Sequence, residues 1–229
     1  MENIAVIGIA NLFPGSNKPD EFWTQLLNKQ DNRTQITARE LGVDPAKYYG
    51  RKGDSDKFYC MYGGYIRDFE FDNRPFVEQG LDENYLDQLD DLNKWALYVT
   101  QQALTDAGYW TSDKLANCGL ILGNLSFPTK SSNHLFLPFY HRVVENALQQ
   151  LTANAFQLTN FSEAKPVHPD SGLVAGYPSA LLAKASGLGG VHLSLDAACA
   201  TACYSAKLAC DYLHTGKADI MLAGAGSAA

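Results

Sequence analysis

Apolar residues recur along this chain at two spacings, and those spacings predict strands and helices in alternation. Ile4-Ala5-Val6-Ile7-Gly8-Ile9 reads as an opening strand. Pro19 followed by Asp20 and Glu21 opens a helix with Phe22, Trp23, Leu26 and Leu27 on one face. From Asn32 to Asn84 the pattern dissolves into Gly, Asp, Tyr and Arg, which reads as a long excursion with a short hairpin near Tyr59 to Ile66. Periodicity returns at Leu89 to Ala107, where Leu92, Trp95, Ala96, Val99 and Ala103 fall at helical spacing before Gly108. Gly119 to Gly123 reads as a short buried strand, Phe139 to Leu151 as a helix following Pro138, and Ser179 to Ala185 as a helix following Pro178. In Val191 to Leu195 the apolar Val191, Leu193 and Leu195 alternate with His192 and Ser194, the period of a strand. Tyr204, Leu208, Tyr212 and Leu213 then form a helical pattern closed by Gly216, and Asp219 to Ala223 reads as another buried strand. This alternation predicts an α/β layered domain with a largely parallel central sheet.

Composition narrows the class. Among 229 residues, 46% are hydrophobic and 19% charged, as in an ordinary globular protein. The net charge of -7 does not support sequence-independent binding to nucleic acid. No apolar run approaches the ~20 residues that span a bilayer, and no secretory signal is visible at the N-terminus. Five cysteines, an odd number at scattered spacing, suit a reducing compartment, so a cytoplasmic location is expected.

The candidate chemistry lies where a strand meets a helix, in Asp196-Ala197-Ala198-Cys199-Ala200-Thr201-Ala202. A cysteine at a helix N-terminus stands where unpaired N–H groups and the helix dipole favour an anion. Thiolate is the form of cysteine that attacks carbon, and the small neighbours leave space for a substrate carbonyl. Cys199 is therefore the expected nucleophile, and its own backbone N–H a plausible oxyanion donor. Cys203 and Cys210 share a helix stripe with Ala206 and Leu213 and are expected in the core, while Cys60 and Cys118 read as structural. No cysteine and histidine cluster completes a zinc site. His192 reads as a hydrogen-bonded sheet residue, His214 as a helix C-terminal charge, and His134, His141 and His168 as loop residues. Gly8-Ile9-Ala10-Asn11 lacks the further glycines of a dinucleotide fingerprint, and Lys130-Ser131 lacks those of a phosphate loop.

Asp196-Ala197-Ala198-Cys199-Ala200 resembles the Asp-Thr-Ala-Cys-Ser active-site segment of β-ketoacyl synthases in the thiolase superfamily. The resemblance continues through Leu208-Ala209-Cys210, Gly216 and Asp219-Ile220-Met221-Leu222-Ala223-Gly224. It extends to the opening Ile4–Ala10 with Phe13-Pro14-Gly15, and to Ala103-Leu104-Thr105-Asp106-Ala107-Gly108. Lys57 to Ile66 and Gly123 to Lys130 look most like the ketosynthase of bacterial polyunsaturated fatty acid synthases. Two segments depart from the pattern: Ala200, Thr201, Ala202 and Cys203 replace a serine-rich run, and Asp90-Asp91-Leu92-Asn93-Lys94 lacks the family's proline and arginine.

The resemblance implies a thiolase-like layered fold, with residues 1–229 as the N-terminal part of a ketosynthase domain. The family's two later histidine motifs and its Gly-Phe-Gly-Gly loop are not in the sequence, so a domain extending past Ala229 is expected. The implied activity is a decarboxylating Claisen condensation, with an acyl group on Cys199 and a malonyl unit on an acyl carrier protein. No metal or nicotinamide is implied, because the 4'-phosphopantetheine belongs to the carrier protein. A homodimer paired through the strand before Cys199 is implied too, alongside other domains of a fatty acid synthase. Two alternatives remain open here: a non-catalytic subunit like the chain-length factors, and a thiolase-like acyltransferase using free coenzyme A.

Overall fold

The computed structural model describes residues 3–124, 132–152 and 174–227. Its described elements run, in chain order, α1 (Pro19–Leu27), β1 (Thr34–Gln35), α2 (Ala38–Leu41), β2 (Tyr62–Gly63), α3 (Arg74–Val77), α4 (Glu83–Asp87) and α5 (Asp91–Asp106). They continue with β3 (Cys118–Asn124), α6 (Ser132–Leu151), α7 (Tyr177–Ser186), β4 (His192–Leu195), α8 (Thr201–His214) and β5 (Ile220–Gly226). The chain divides into two compact units, Ile9–Glu70 and a larger one made of Met1–Gly8 with Phe71–Ala229.

The larger unit is built on a three-stranded parallel sheet in the order β4-β3-β5. Leu120 lies opposite His192 on one side and Leu222 on the other. Parallel neighbours need crossover connections, and α7 precedes β4 while α8 joins β4 to β5. The fold class is thus the α/β arrangement with a parallel sheet that the alternating pattern predicts. Helix α5 starts where the Asp90 carboxylate accepts the Leu92 N–H at 3.0 Å, satisfying one of the helix's open donors. Its Leu97 and Leu104 join Phe76, Leu86, Leu120, Leu181 and Leu182 in a buried cluster. That cluster fixes the sheet, and with it the strand–helix junction after β4.

Several expected elements differ. Residues 3–12 form no strand, and Val6, Ile7 and Ile9 are exposed. Both hydrogen-bonding edges of β3 are taken by β4 and β5, leaving no place beside the central strand for Ile4 to Ile9. The segment instead passes close to α5, where a Cβ added to Gly8 would lie 2.8 Å from the Ala107 Cβ. The expected hairpin over Tyr59 to Ile66 is not formed either. Tyr62 and Gly63 pair antiparallel with Gln35 and Thr34, far back in sequence. Helix α6 begins seven residues before the expected Phe139 (139 − 132 = 7) and holds Pro138 within it. The other predicted segments match α5, β3, α7, β4, α8 and β5 to within a few residues.

The Ile9–Glu70 unit carries little regular structure, as its composition predicts. Arg67 organises it. The guanidinium meets the Glu40 carboxylate at 3.0 and 3.1 Å and donates to the Gln35 carbonyl at 2.7 Å. Thr37 caps α2 in a reciprocal box, its N–H and hydroxyl reaching the same carboxylate at 2.8 and 2.6 Å. Burial alone would raise the Glu40 pKa; the Thr37 and Arg67 hydrogen bonds outweigh it and hold the carboxyl at about 2.

Candidate active site

Strand β4 ends at Leu195, and the chain turns through Asp196 and Ala197 into a short 3-10 turn, Ala198–Ala200, which runs directly into α8. Cys199 is at the centre of that turn and is exposed. The strand–turn–helix junction expected around the cysteine is present, with one tight turn between the strand and the α-helix. Gly216, at φ +66, follows α8 in the left-handed conformation its sequence position predicts.

The turn is held by side chains on both flanks of the thiol. The Asp196 carboxylate accepts the Ala198 N–H at 2.8 Å. The Thr201 hydroxyl accepts the Ala197 N–H at 2.9 Å and donates to the Ala198 carbonyl at 2.6 Å. Ala198 itself has φ +49, a left-handed backbone that costs a non-glycine residue on the order of 1 kcal/mol or more. Such a conformation persists because Asp196 and Thr201 bind the peptide groups on either side of it. The turn therefore presents Cys199 outward on a backbone that its neighbours determine.

Thr201 also anchors the helix to the sheet. It is buried, and a Cβ placed on Gly123 of β3 would overlap its methyl group. The glycine lets α8 approach the sheet so closely. Ser205, one turn on, is buried and donates to the Thr201 carbonyl at 3.0 Å. Reading the sequence for chemistry alone passes over Thr201 and Gly123. Their signals are a hydroxyl residue at the start of a helix and a glycine interrupting a buried strand.

The other cysteines separate by environment. Cys118 is buried at the start of the central strand β3, and burial pushes its thiol up to about 11. Cys203 is exposed and Cys210 half-buried, which corrects the expectation that both lie in the core. The buried side of α8 is instead the line Thr201, Ser205 and Ala209. Cys60 is exposed. Ser194, on the polar side of β4, donates to the hydroxyl of Ser179 in α7 at 3.0 Å, so that side faces a helix. His192 is exposed at the start of the same strand. His214 is the last residue of α8, a 14-residue helix and thus about 20 Å from its start. His141 approaches Glu145 in α6 at 3.9 Å, within the helix expected over Phe139 to Leu151, and His134 lies in the same helix ahead of its expected start. His168 is outside the described residues. No group of three or more metal-ligating side chains occurs among the described residues. No described helix is long and apolar enough to cross a membrane.

Cys199 is thus an exposed thiol on a constrained turn at a helix start, between small residues. Comparison with known proteins is decisive on the family: the beta-ketoacyl synthase N-terminal domain matches residues 1–229. The chain belongs to the β-ketoacyl synthase family. Two polyunsaturated fatty acid synthase subunits of Thraustochytrium sp. are similar to it, one 33% identical over 98% of this chain and the other 28% identical over 97%. It spans only 10% and 8% of the lengths of those two relatives. Among solved structures, a PfaC keto synthase-chain length factor superposes with TM-score 0.91 at 66% identity, over 100% of this chain and 24% of that one. A ketosynthase from module 6 of the bacillaene synthase of Bacillus subtilis shares the fold at TM-score 0.66 and 20% identity, over 98% of this chain and 32% of that one. In this β-ketoacyl synthase chain the Ala198–Ala200 turn that carries Cys199 is at the β4–α8 junction.

Proposed function

We propose that Cys199 is the acyl-accepting nucleophile of a ketosynthase working in a polyunsaturated fatty acid synthase. The observation that carries this reading is the Asp196–Thr201 turn, which displays the thiol on a fixed backbone at the start of α8. In the proposed cycle the Cys199 sulfur attacks the carbonyl of an acyl thioester on a carrier protein's phosphopantetheine arm. A new C–S bond forms, and the pantetheine thiol leaves with the proton. A malonyl unit on a carrier protein then loses carbon dioxide, and its carbanion attacks the Cys199 thioester. A C–C bond forms, and the cysteine sulfur is expelled and regains a proton. The chain's own part is the first transfer: presenting the sulfur and, through the Cys199 N–H, stabilising the oxyanion. Groups that stabilise the enolate, two imidazoles in the family's pattern, are proposed to come from elsewhere in the longer protein. Homodimer formation and docking of carrier protein belong to the same proposal.

A second reading is a chain-length-factor-like partner, favoured by the solved relative whose name joins both functions. Incubating the full-length parent with an acyl-carrier thioester, then mass spectrometry of the Cys199 peptide, separates the two. Ketosynthase function requires one acyl mass on Cys199 and none in Cys199→Ala. An unmodified Cys199 in a folded parent supports the partner role. Loading from acyl coenzyme A but not from carrier protein supports the thiolase-like alternative.

A further inference from the structure

Two thiols share the solvent side of the β4–α8 junction. Cys199, in the Ala198–Ala200 turn, and Cys203, in the first turn of α8, are both exposed. At 3.6 residues per turn Cys203 lies about 40° round from Cys199, whereas Thr201, about 200° round, is buried with Ser205 and Ala209. Ala200 and Ala202 are exposed as well, so no large side chain stands between the two sulfurs. The other three cysteines are placed differently. Cys118 is buried, Cys60 belongs to the Ile9–Glu70 unit, and Cys210 is half-buried seven residues beyond Cys203 (210 − 203 = 7), about 10 Å along the helix. A disulfide needs Cα atoms within about 7 Å, which excludes Cys210.

Residues four apart at a helix start have Cα atoms about 6 Å and Cβ atoms about 5–6 Å apart. The first distance suits a disulfide, and the second exceeds by roughly 1 Å what a relaxed bridge takes. The slack lies at Ala200, which caps α8 without a side-chain hydrogen bond at φ -91 and ψ -1, just ahead of the buried Thr201. A bridge drawn together there is strained, and strained, exposed disulfides are the easily reduced ones. An accessible thiol beside a second thiol is also the arrangement that stops oxidation at a reversible stage. We propose that Cys199 and Cys203 are a peroxide-responsive pair that closes into a reversible disulfide, with Cys203 as the resolving thiol. The Cys199 thiolate attacks an oxygen of hydrogen peroxide: an S–O bond forms, the O–O bond breaks, and hydroxide leaves and takes a proton. The Cys203 sulfur then attacks the Cys199 sulfur. An S–S bond forms, the S–O bond breaks, and the departing hydroxide takes the Cys203 proton and leaves as water. Two thiols are oxidised and one peroxide is reduced; a dithiol reductant reverses the bridge. The bridge needs only two thiols in reach, whereas its blocking of acyl loading rests on the proposed role of Cys199.

In the experiment the full-length parent is treated with hydrogen peroxide, its free thiols are blocked with iodoacetamide, and its tryptic peptides are weighed. Cys199 and Cys203 fall in one peptide, Ala185–Lys207, which holds no other cysteine. The expected product is that peptide two hydrogens lighter and refractory to iodoacetamide, converted by dithiothreitol to a form that takes two alkyl groups. Acyl loading should fall at least tenfold on oxidation and return with dithiothreitol. Cys203→Ser and Cys203→Ala, which change an exposed side chain, should load like the parent before treatment. After peroxide both should carry at least tenfold more sulfinic or sulfonic acid on Cys199 than the parent does, with loading that dithiothreitol does not restore. An untreated, folded parent that takes no acyl group would count against the proposed function, while the bridge is still read by mass. Sulfinic acid on Cys199 as abundant in the parent as in the variants, a bridge from either thiol to another cysteine, or no bridge at all would each overturn the pairing.

Discussion

At the scale of single residues, Thr201 does two jobs that its small neighbours cannot. Its hydroxyl accepts the Ala197 N–H and donates to the carbonyl of the left-handed Ala198, and its methyl fills the space above Gly123. Thr201→Val keeps the shape but leaves the Ala197 N–H and the Ala198 carbonyl without that hydroxyl. A loss of roughly 1–3 kcal/mol in denaturant unfolding is expected, with a larger fall in acyl loading than in stability. Thr201→Ser, which keeps the hydroxyl, should retain most of the loading. Gly123→Ala tests the other contact: its Cβ would overlap the Thr201 methyl and come within 3.0 Å of the Ala225 Cβ. Destabilisation of about 1–3 kcal/mol or more should follow, together with slower loading, because α8 must move to admit the methyl. The thiols give a further check. Cys118, buried with its pKa at about 11, should resist iodoacetamide at pH 8 until the protein is unfolded, whereas Cys199 should label first among the five. Peptide mapping that finds Cys118 modified in the native protein would contradict its placement.

At the scale of elements, the capping box of α2 and the Arg67 pair are one device. Glu40 accepts from the Thr37 N–H and hydroxyl and from two guanidinium nitrogens of Arg67, tying α2 to β1 and to the end of the Ile9–Glu70 unit. Its folded pKa of about 2 lies below the ordinary 4.5. The sign follows from the depressed value: the carboxylate's contribution is fully present above about pH 4.5 and is lost as pH falls through 2. Protease nicking of residues 36–70 should therefore rise as pH drops through this window, and Arg67→Ala should shift its onset to higher pH. An onset unchanged by Arg67→Ala would show that the pair does not hold this segment. Because the groups are partly exposed, added salt should mimic a fraction of the effect.

At the scale of the whole molecule, β4 is a short edge strand with a half-buried run, Leu193 to Leu195. Exposed edges invite another strand, and the proposed homodimer would cover this one. The full-length parent should sediment as a dimer at micromolar concentration; a monomer would count against the pairing. Residues 1–229 alone should release no carbon dioxide from malonyl carrier protein. Their histidines match neither family motif, and His214 stands at the far end of α8 from the thiol. Robust decarboxylation without a second polypeptide would overturn the proposed division of labour.

What the sequence determined by itself were the features set by local chemistry. The strand period of Val191 to Leu195, the helical period after Cys199 and the left-handed Gly216 each follow from contacts within a few residues, and the structure contains all three. The parallel sheet was legible too, because strands separated by helices leave few other topologies. Long-range competition decided the rest. Ile4 to Ile9 has the pattern of a strand, yet β4 and β5 take both places beside the central β3, a competition that its own residues do not decide. Tyr62 pairs with Gln35 instead of turning back on its neighbours, a choice made by distant residues. Cys203 faces solvent because Thr201, Ser205 and Ala209 pack on the sheet side, and a one-dimensional stripe cannot say which of its faces meets a partner. The strand–turn–helix junction around Cys199 was readable in seven residues. The backbone that presents it was settled only when Thr201 came down over Gly123, a contact across 78 positions (201 − 123 = 78) that no local pattern encodes.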